Sequence, residues 1–165
     1  MPLLRQLGAG VRAGLLAGGF VAATFFIADL ARLQPLATPI ALGSGMIGSS
    51  VTSFESPILA SGIAIVSLGG HLASITLVHF LAFAALGACS VLVFRALDLP
   101  LNAWTGALYG FAGFSMVFYA AAWLTHASRV IELPSPGSIL LLNLLAGAIM
   151  GGYFQLASRR AEASA

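Results

Sequence analysis

The sequence has no lysine, one cysteine, and only seven basic and five acidic side chains among 165 residues. Charged residues make up 7% of the chain, against about 25% in soluble domains. So little charge excludes a soluble fold of this size, whose surface such a set could not cover. The lone cysteine, Cys89, excludes an intrachain disulfide and reads as a small packed apolar residue. There is no basic run with interleaved aromatics, so nucleic acid is not an expected partner. The familiar chemical signatures are missing too. No P-loop, dinucleotide fingerprint, His-Glu-x-x-His, Cys-x-x-Cys or Gly-x-Ser-x-Gly occurs. The glycines of ALGSGMIG lack the strand-to-helix context of a phosphate loop. Nothing nominates a nucleophile beside a base, and no catalytic residue is assigned.

What is present is hydrophobic: 59% of the residues, with a mean hydropathy of +1.01. A bilayer core of about 30 Å takes about 20 apolar residues in helix. Four runs meet that length: Leu7–Leu30, Leu72–Phe94, Ala103–Leu124 and Ile139–Ala157. They are continuous rather than alternating, which points to helices and not to barrel strands. The expected architecture is all-α, a single polytopic membrane domain over 1–165 with four helices in an antiparallel bundle. A hydrophobic, partly helical connection, 35–70, joins the first two. An uncleaved first span is expected rather than a signal peptide, because the run is long and Asp29 stands where small cleavage-site residues belong.

Small residues mark the packing faces. Gly10, Gly14 and Gly18 recur at every fourth position of the first run, with Ala9, Ala13 and Ala17 alongside. Gly106 and Gly110 repeat the spacing in the third run, and Gly147 and Gly151 in the fourth. Such rows let helices approach closely in lipid, either within one chain or between subunits. Asn143 shares a face with Gly147 and Gly151 and is expected to bond across to another helix. Asp29 closes the first run. A carboxylate there opposes the helix dipole, so a cationic or hydrogen-bonding partner is expected, with Arg32 the nearest candidate in a solvated interfacial pair.

Breakers crowd the connection: Pro35, Pro39 and Pro57, with Gly43, Gly45 and Gly48. Gly69-Gly70 is expected to separate it from the second helix. One or two short interfacial or re-entrant helices are expected within it, with a fifth span at Leu36–Phe54 as the alternative. Asp98 and Pro100 suit a short turn, with Asp98 as cap of the third helix. Ser135-Pro136 suits the start of the fourth. Trp104 and Trp123 lie near the two ends of the third run, as interfacial belts require. Phe111, Phe114 and Phe118 form a stripe at helical spacing, read as lipid-facing or packed bulk.

The arginines give orientation. With four spans, Arg5, Arg12, Arg95, Arg159 and Arg160 fall on the side of the termini, and Arg32 and Arg129 on the other. The positive-inside rule then places both termini in the cytoplasm.

The three histidines are the candidates for chemistry, since neutral imidazole ligates haem iron, copper or zinc. His71 and His79 differ in depth by ~12 Å and cannot easily share one ion. His71 and His126 lie at similar depth, where Asp29 or Glu132 could add oxygen. His79 is the ionisable residue well inside an apolar run, and such a group is a functional hypothesis by default. The plainer reading makes it a neutral ring donating one hydrogen bond, to Asn143, Thr24 or a carbonyl, because no carboxylate lies with it in mid-membrane.

The segments GVRAGLLAGG, DLARLQPLATP and TLVHFLAFAALG resemble small four-span inner-membrane proteins of bacteria that have no established activity. The resemblance implies architecture only, with no activity and no site residues to carry over; the expected location is a membrane, the inner membrane of a bacterium. Three functions are compatible with these residues: an accessory or assembly subunit meeting other membrane subunits or a second copy of itself, a small transporter or channel, and a redox subunit binding haem or quinone through His79, His71 or His126.

Overall fold

A computed structural model describes residues 3–41, 62–124 and 135–163. Among these residues the chain is helical and contains no strand. Helix α1 covers Leu3–Ala31, α2 covers Gly62–Ala96, α3 covers Ala103–Leu124 and α4 covers Pro136–Ala163. Each contains a stretch long and apolar enough to cross a membrane: Leu3–Ala31, Leu68–Ala96, Ala103–Leu124 and Pro136–Arg160.

Two boundaries differ from expectation. Helix α2 runs unbroken through Gly69-Gly70, so residues 62–70 belong to it and not to the connection. Glycine lowers helix propensity by about 1 kcal/mol relative to alanine. A break would also interrupt the main-chain hydrogen bonds of a 35-residue helix, and the helix persists. The cap of α3 is Asn102, not Asp98. Asn102 Oδ1 accepts from the Thr105 amide at 2.9 Å and from Thr105 Oγ1 at 3.2 Å. Asp98 instead takes the left-handed turn after α2, at φ 49°. The proposed re-entrant helices and the fifth-span alternative fall largely on 42–61, outside the described residues.

The start of α4 matches its local signal. Pro136 is its first residue, and Ser135 Oγ accepts from the Ser138 amide at 3.2 Å. Pro136 lacks the amide that would go unpaired at this position.

Two glycine seams hold the helices in pairs. Along α1 and α2, a Cβ built at Gly10 would strike the Gly87 carbonyl, and one at Gly14 the Phe83 carbonyl. One at Gly18 would press the Phe83 ring at 3.0 Å. Along α3 and α4, Gly106 meets Gly147 and Gly151, while Gly110 meets Asn143 and Gly147. At these crossings the missing Cβ lets one backbone rest on the other, which maximises dispersion contact.

Large side chains join the pairs. Phe83 of α2 packs edge-on against Phe114 of α3 at 5.1 Å between ring centroids. Phe94 of α2 meets Tyr109 of α3 at 5.5 Å and Phe154 of α4 at 6.4 Å. The Tyr109 hydroxyl donates to the Leu86 carbonyl at 3.1 Å. Edge-to-face rings of this kind are favoured by the aromatic quadrupole.

Helix α3 contains a π turn, Gly110–Phe114, between α-helical segments Ala103–Tyr109 and Ser115–Leu124. The wider turn splits the phenylalanine stripe. Phe114 is buried in the core and Phe111 points outward, because the π turn changes the angular spacing that a uniform helix would impose.

Candidate functional site

The polar residues inside the bundle form separate small clusters. The first closes α1. Asp29 is 1% exposed, and its two carboxylate oxygens accept from the Thr38 amide and the Thr38 hydroxyl, each at 2.7 Å. Its partner is therefore Thr38 rather than Arg32. The reason lies in the turn between them. Leu33 and Leu36 take φ 57° and 71°, a conformation that costs an L-residue roughly 1–2 kcal/mol. The turn brings residues 37–41, which are helical again, back to the end of α1. The carboxylate thereby meets an amide at the start of a helix, where negative charge is favoured.

The second cluster centres on His79. Its Nε2 lies 3.0 Å from the Gly18 carbonyl oxygen of α1. The oxygen can only accept, so Nε2 carries the hydrogen in this contact. Phe80 and Phe83 flank the ring at 5.4 and 4.8 Å between centroids. Glycines let the helix axes come close enough for an imidazole to reach a main-chain carbonyl. Of the three partners named from the sequence, the structure selects a carbonyl over Asn143 and Thr24. Thr24 bonds instead to the Phe20 carbonyl of its own helix, at 2.8 Å.

The third cluster lies in the other helix pair. Asn143 is buried, and its Nδ2 donates to Ser115 Oγ at 3.1 Å. Ser115 is the first residue after the π turn, so the irregular turn places a hydroxyl opposite the amide. A fourth, smaller contact belongs to Ser90, which is fully buried and bonds to the Gly87 carbonyl at 2.7 Å.

Of the three histidine side chains, that of His79 is described. His71 lies within α2, but its side chain and the whole of His126 are outside the described residues, as are Arg129 and Glu132. Among the described residues no group of three or more His, Cys, Asp or Glu is placed to hold a metal ion. Cys89 is exposed on α2 rather than packed, because the buried face of that helix runs through Phe83, Gly87, Ser90 and Phe94. Every buried side-chain nitrogen and oxygen among the described residues has a hydrogen-bond partner.

Thr38, Ser115 and the π turn went unidentified as site features in the sequence. Thr38 stands nine residues beyond Asp29, a spacing without periodic meaning until the turn is known. Ser115 resembles any other small residue of an apolar helix. The glycines within the π turn, Gly110 and Gly113, were the one local hint of irregularity.

No family model matches the chain, and no curated protein or solved structure matches it either.

Proposed function

We propose that this protein is an integral membrane subunit with an accessory or assembly role in a larger membrane complex, and no substrate chemistry of its own. Its four long helices cross the bacterial inner membrane as an antiparallel bundle, with both termini in the cytoplasm. The seams support opposed directions. Contacts that rise from Gly10 to Gly18 on α1 fall from Gly87 to Phe83 on α2, and Gly106 and Gly110 meet Gly151 and Gly147 in the same sense. Large apolar side chains on the outside of every helix support insertion, among them Leu81, Leu108, Leu141 and Leu156. The division of arginines supports the orientation.

The observation that carries the functional reading is the closure of the described polar interior. Asp29, His79, Ser90 and Asn143 are engaged by groups of the same chain. The polar groups thus serve the scaffold. The glycine rows serve it too, which leaves the apolar outer faces to meet a partner. On α3 these faces carry Met116, Trp123 and Leu124. Extraction from native membranes in mild detergent, followed by native electrophoresis, tests the reading. A defined larger complex is expected, and a clean monomer overturns it.

One observation favours a second reading. Helix α3 has a π turn beside the Asn143–Ser115 pair; π turns within α-helices are frequent at functional sites, and discontinuous helices form the binding sites of secondary transporters. Equal solute and ion fluxes into proteoliposomes with and without the protein would remove this alternative.

A further inference from the structure

Helix α1 carries two arginines, Arg5 and Arg12, on the flank turned away from the bundle. They stand seven residues apart, two turns or ~10 Å along the axis. Both are exposed, while Gly10, Ala13 and Gly14 on the opposite flank are buried. Side chains lean toward the N-terminus of their helix, so Arg12 leans toward the level of Arg5. Gly8 lies between them, and a Cβ there would meet nothing within 4 Å. Around the rim, Arg95 at the end of α2 donates from Nη1 to Gln6 Oε1 at 3.2 Å. That bond places a third guanidinium next to the Arg5 level. Asp98 is the acidic side chain described at this end.

Neither Arg5 nor Arg12 has a protein partner among the described residues. On the membrane reading, on which this inference rests, Arg12 stands two turns inside the Arg5 level and faces lipid. A guanidinium there must reach an anion or the interface. The phosphate of a phospholipid is an anion available along that path, and arginine binds it through a planar two-pronged donor set. We propose that Arg5 and Arg12, with Arg95 beside them, form a binding site for the headgroup of an anionic phospholipid, whose phosphate is held over Gly8.

The test uses the full-length protein in nanodiscs and in mild detergent. Native mass spectrometry counts the phosphatidylglycerol or phosphatidylcholine that stays bound. Preferential retention of phosphatidylglycerol is expected. It should weaken roughly tenfold or more in the Arg5→Gln/Arg12→Gln double variant, given the worth of each arginine near a charged surface. Arg32→Gln, at the other end of α1, should retain the lipid as the unaltered protein does. Retention by the unaltered protein should also fall with added salt, a readout that needs no variant. Equal retention of both lipids, or salt-independent retention, overturns the site. Displacement by inorganic phosphate well beyond that by sodium chloride of equal ionic strength also overturns it, in favour of a soluble anion. Failure to enter nanodiscs of either lipid overturns the membrane reading itself, and is distinct from entry without lipid preference.

Discussion

Asp29 and Thr38 form a closed pair: both oxygens of one carboxylate are bound by the amide and hydroxyl of one threonine, each at 2.7 Å. The pair ties the end of α1 to the chain that leaves it, across a turn with two leucines in left-handed conformation. The contact holds the turn, and the turn makes the contact possible.

Breaking the pair from either side should therefore loosen this end of the bundle. Asp29→Ala leaves a buried amide and hydroxyl without an acceptor, a loss of about 1–3 kcal/mol. Thr38→Val keeps the amide bond and removes only the hydroxyl, so it should cost less. Denaturation in mixed micelles, followed by helical circular dichroism, compares the two. Equal stability of Asp29→Ala and the unaltered protein would mean that the turn holds without the carboxylate.

The seams predict a sharp contrast among glycines. Gly14→Val and Gly147→Val place a side chain against a facing backbone and should destabilise by about 1–3 kcal/mol or prevent folding. Gly19→Ala and Gly152→Ala meet open space and should be neutral or slightly stabilising, since alanine is the better helix former. Thermal midpoints in detergent report the difference. Similar losses at Gly14 and Gly19 would remove the seam as the reason for the glycine row.

Asn143 and Ser115 should behave as a coupled pair. Interhelical hydrogen bonds of this kind in membranes are worth about 0.6 kcal/mol on average. Asn143→Ala and Ser115→Ala should each lower stability, and the double variant should lose less than the sum. Strict additivity in the cycle would show that the two side chains act independently.

His79→Phe removes the bond to the Gly18 carbonyl and keeps an aromatic ring beside Phe83. A modest loss of stability is expected, below that of Gly14→Val, with the visible absorption spectrum of the purified protein unchanged. Loss of an absorption band in this variant would instead make His79 a cofactor ligand.

Much of the helical layout was legible in the residues. Ser135-Pro136 marked the start of α4 because both residues act within one turn of chain. The rows Gly10-Gly14-Gly18 and Gly147-Gly151 were visible as packing faces, because their spacing depends only on helix geometry. Arg32 was a misleading partner for Asp29 because a nearby charge on a continued helix looks favourable, while the helix in fact ends and turns. Gly69-Gly70 misled for the converse reason. Glycine weakens a helix on average, but here the pair sits inside one continuous hydrogen-bonded helix, Gly62–Ala96, that carries it through.

The sequence by itself determined that these segments are helices and which of their faces are small. Those properties follow from backbone hydrogen bonding and side-chain period, which act over a few residues. The tertiary structure alone decided that the α1 row meets Gly87 and Phe83, that the α3 row meets the α4 row, and that His79 reaches Gly18. These pairings depend on the relative register of helices far apart in the chain, set by the best joint fit of all four surfaces. No local pattern records that register.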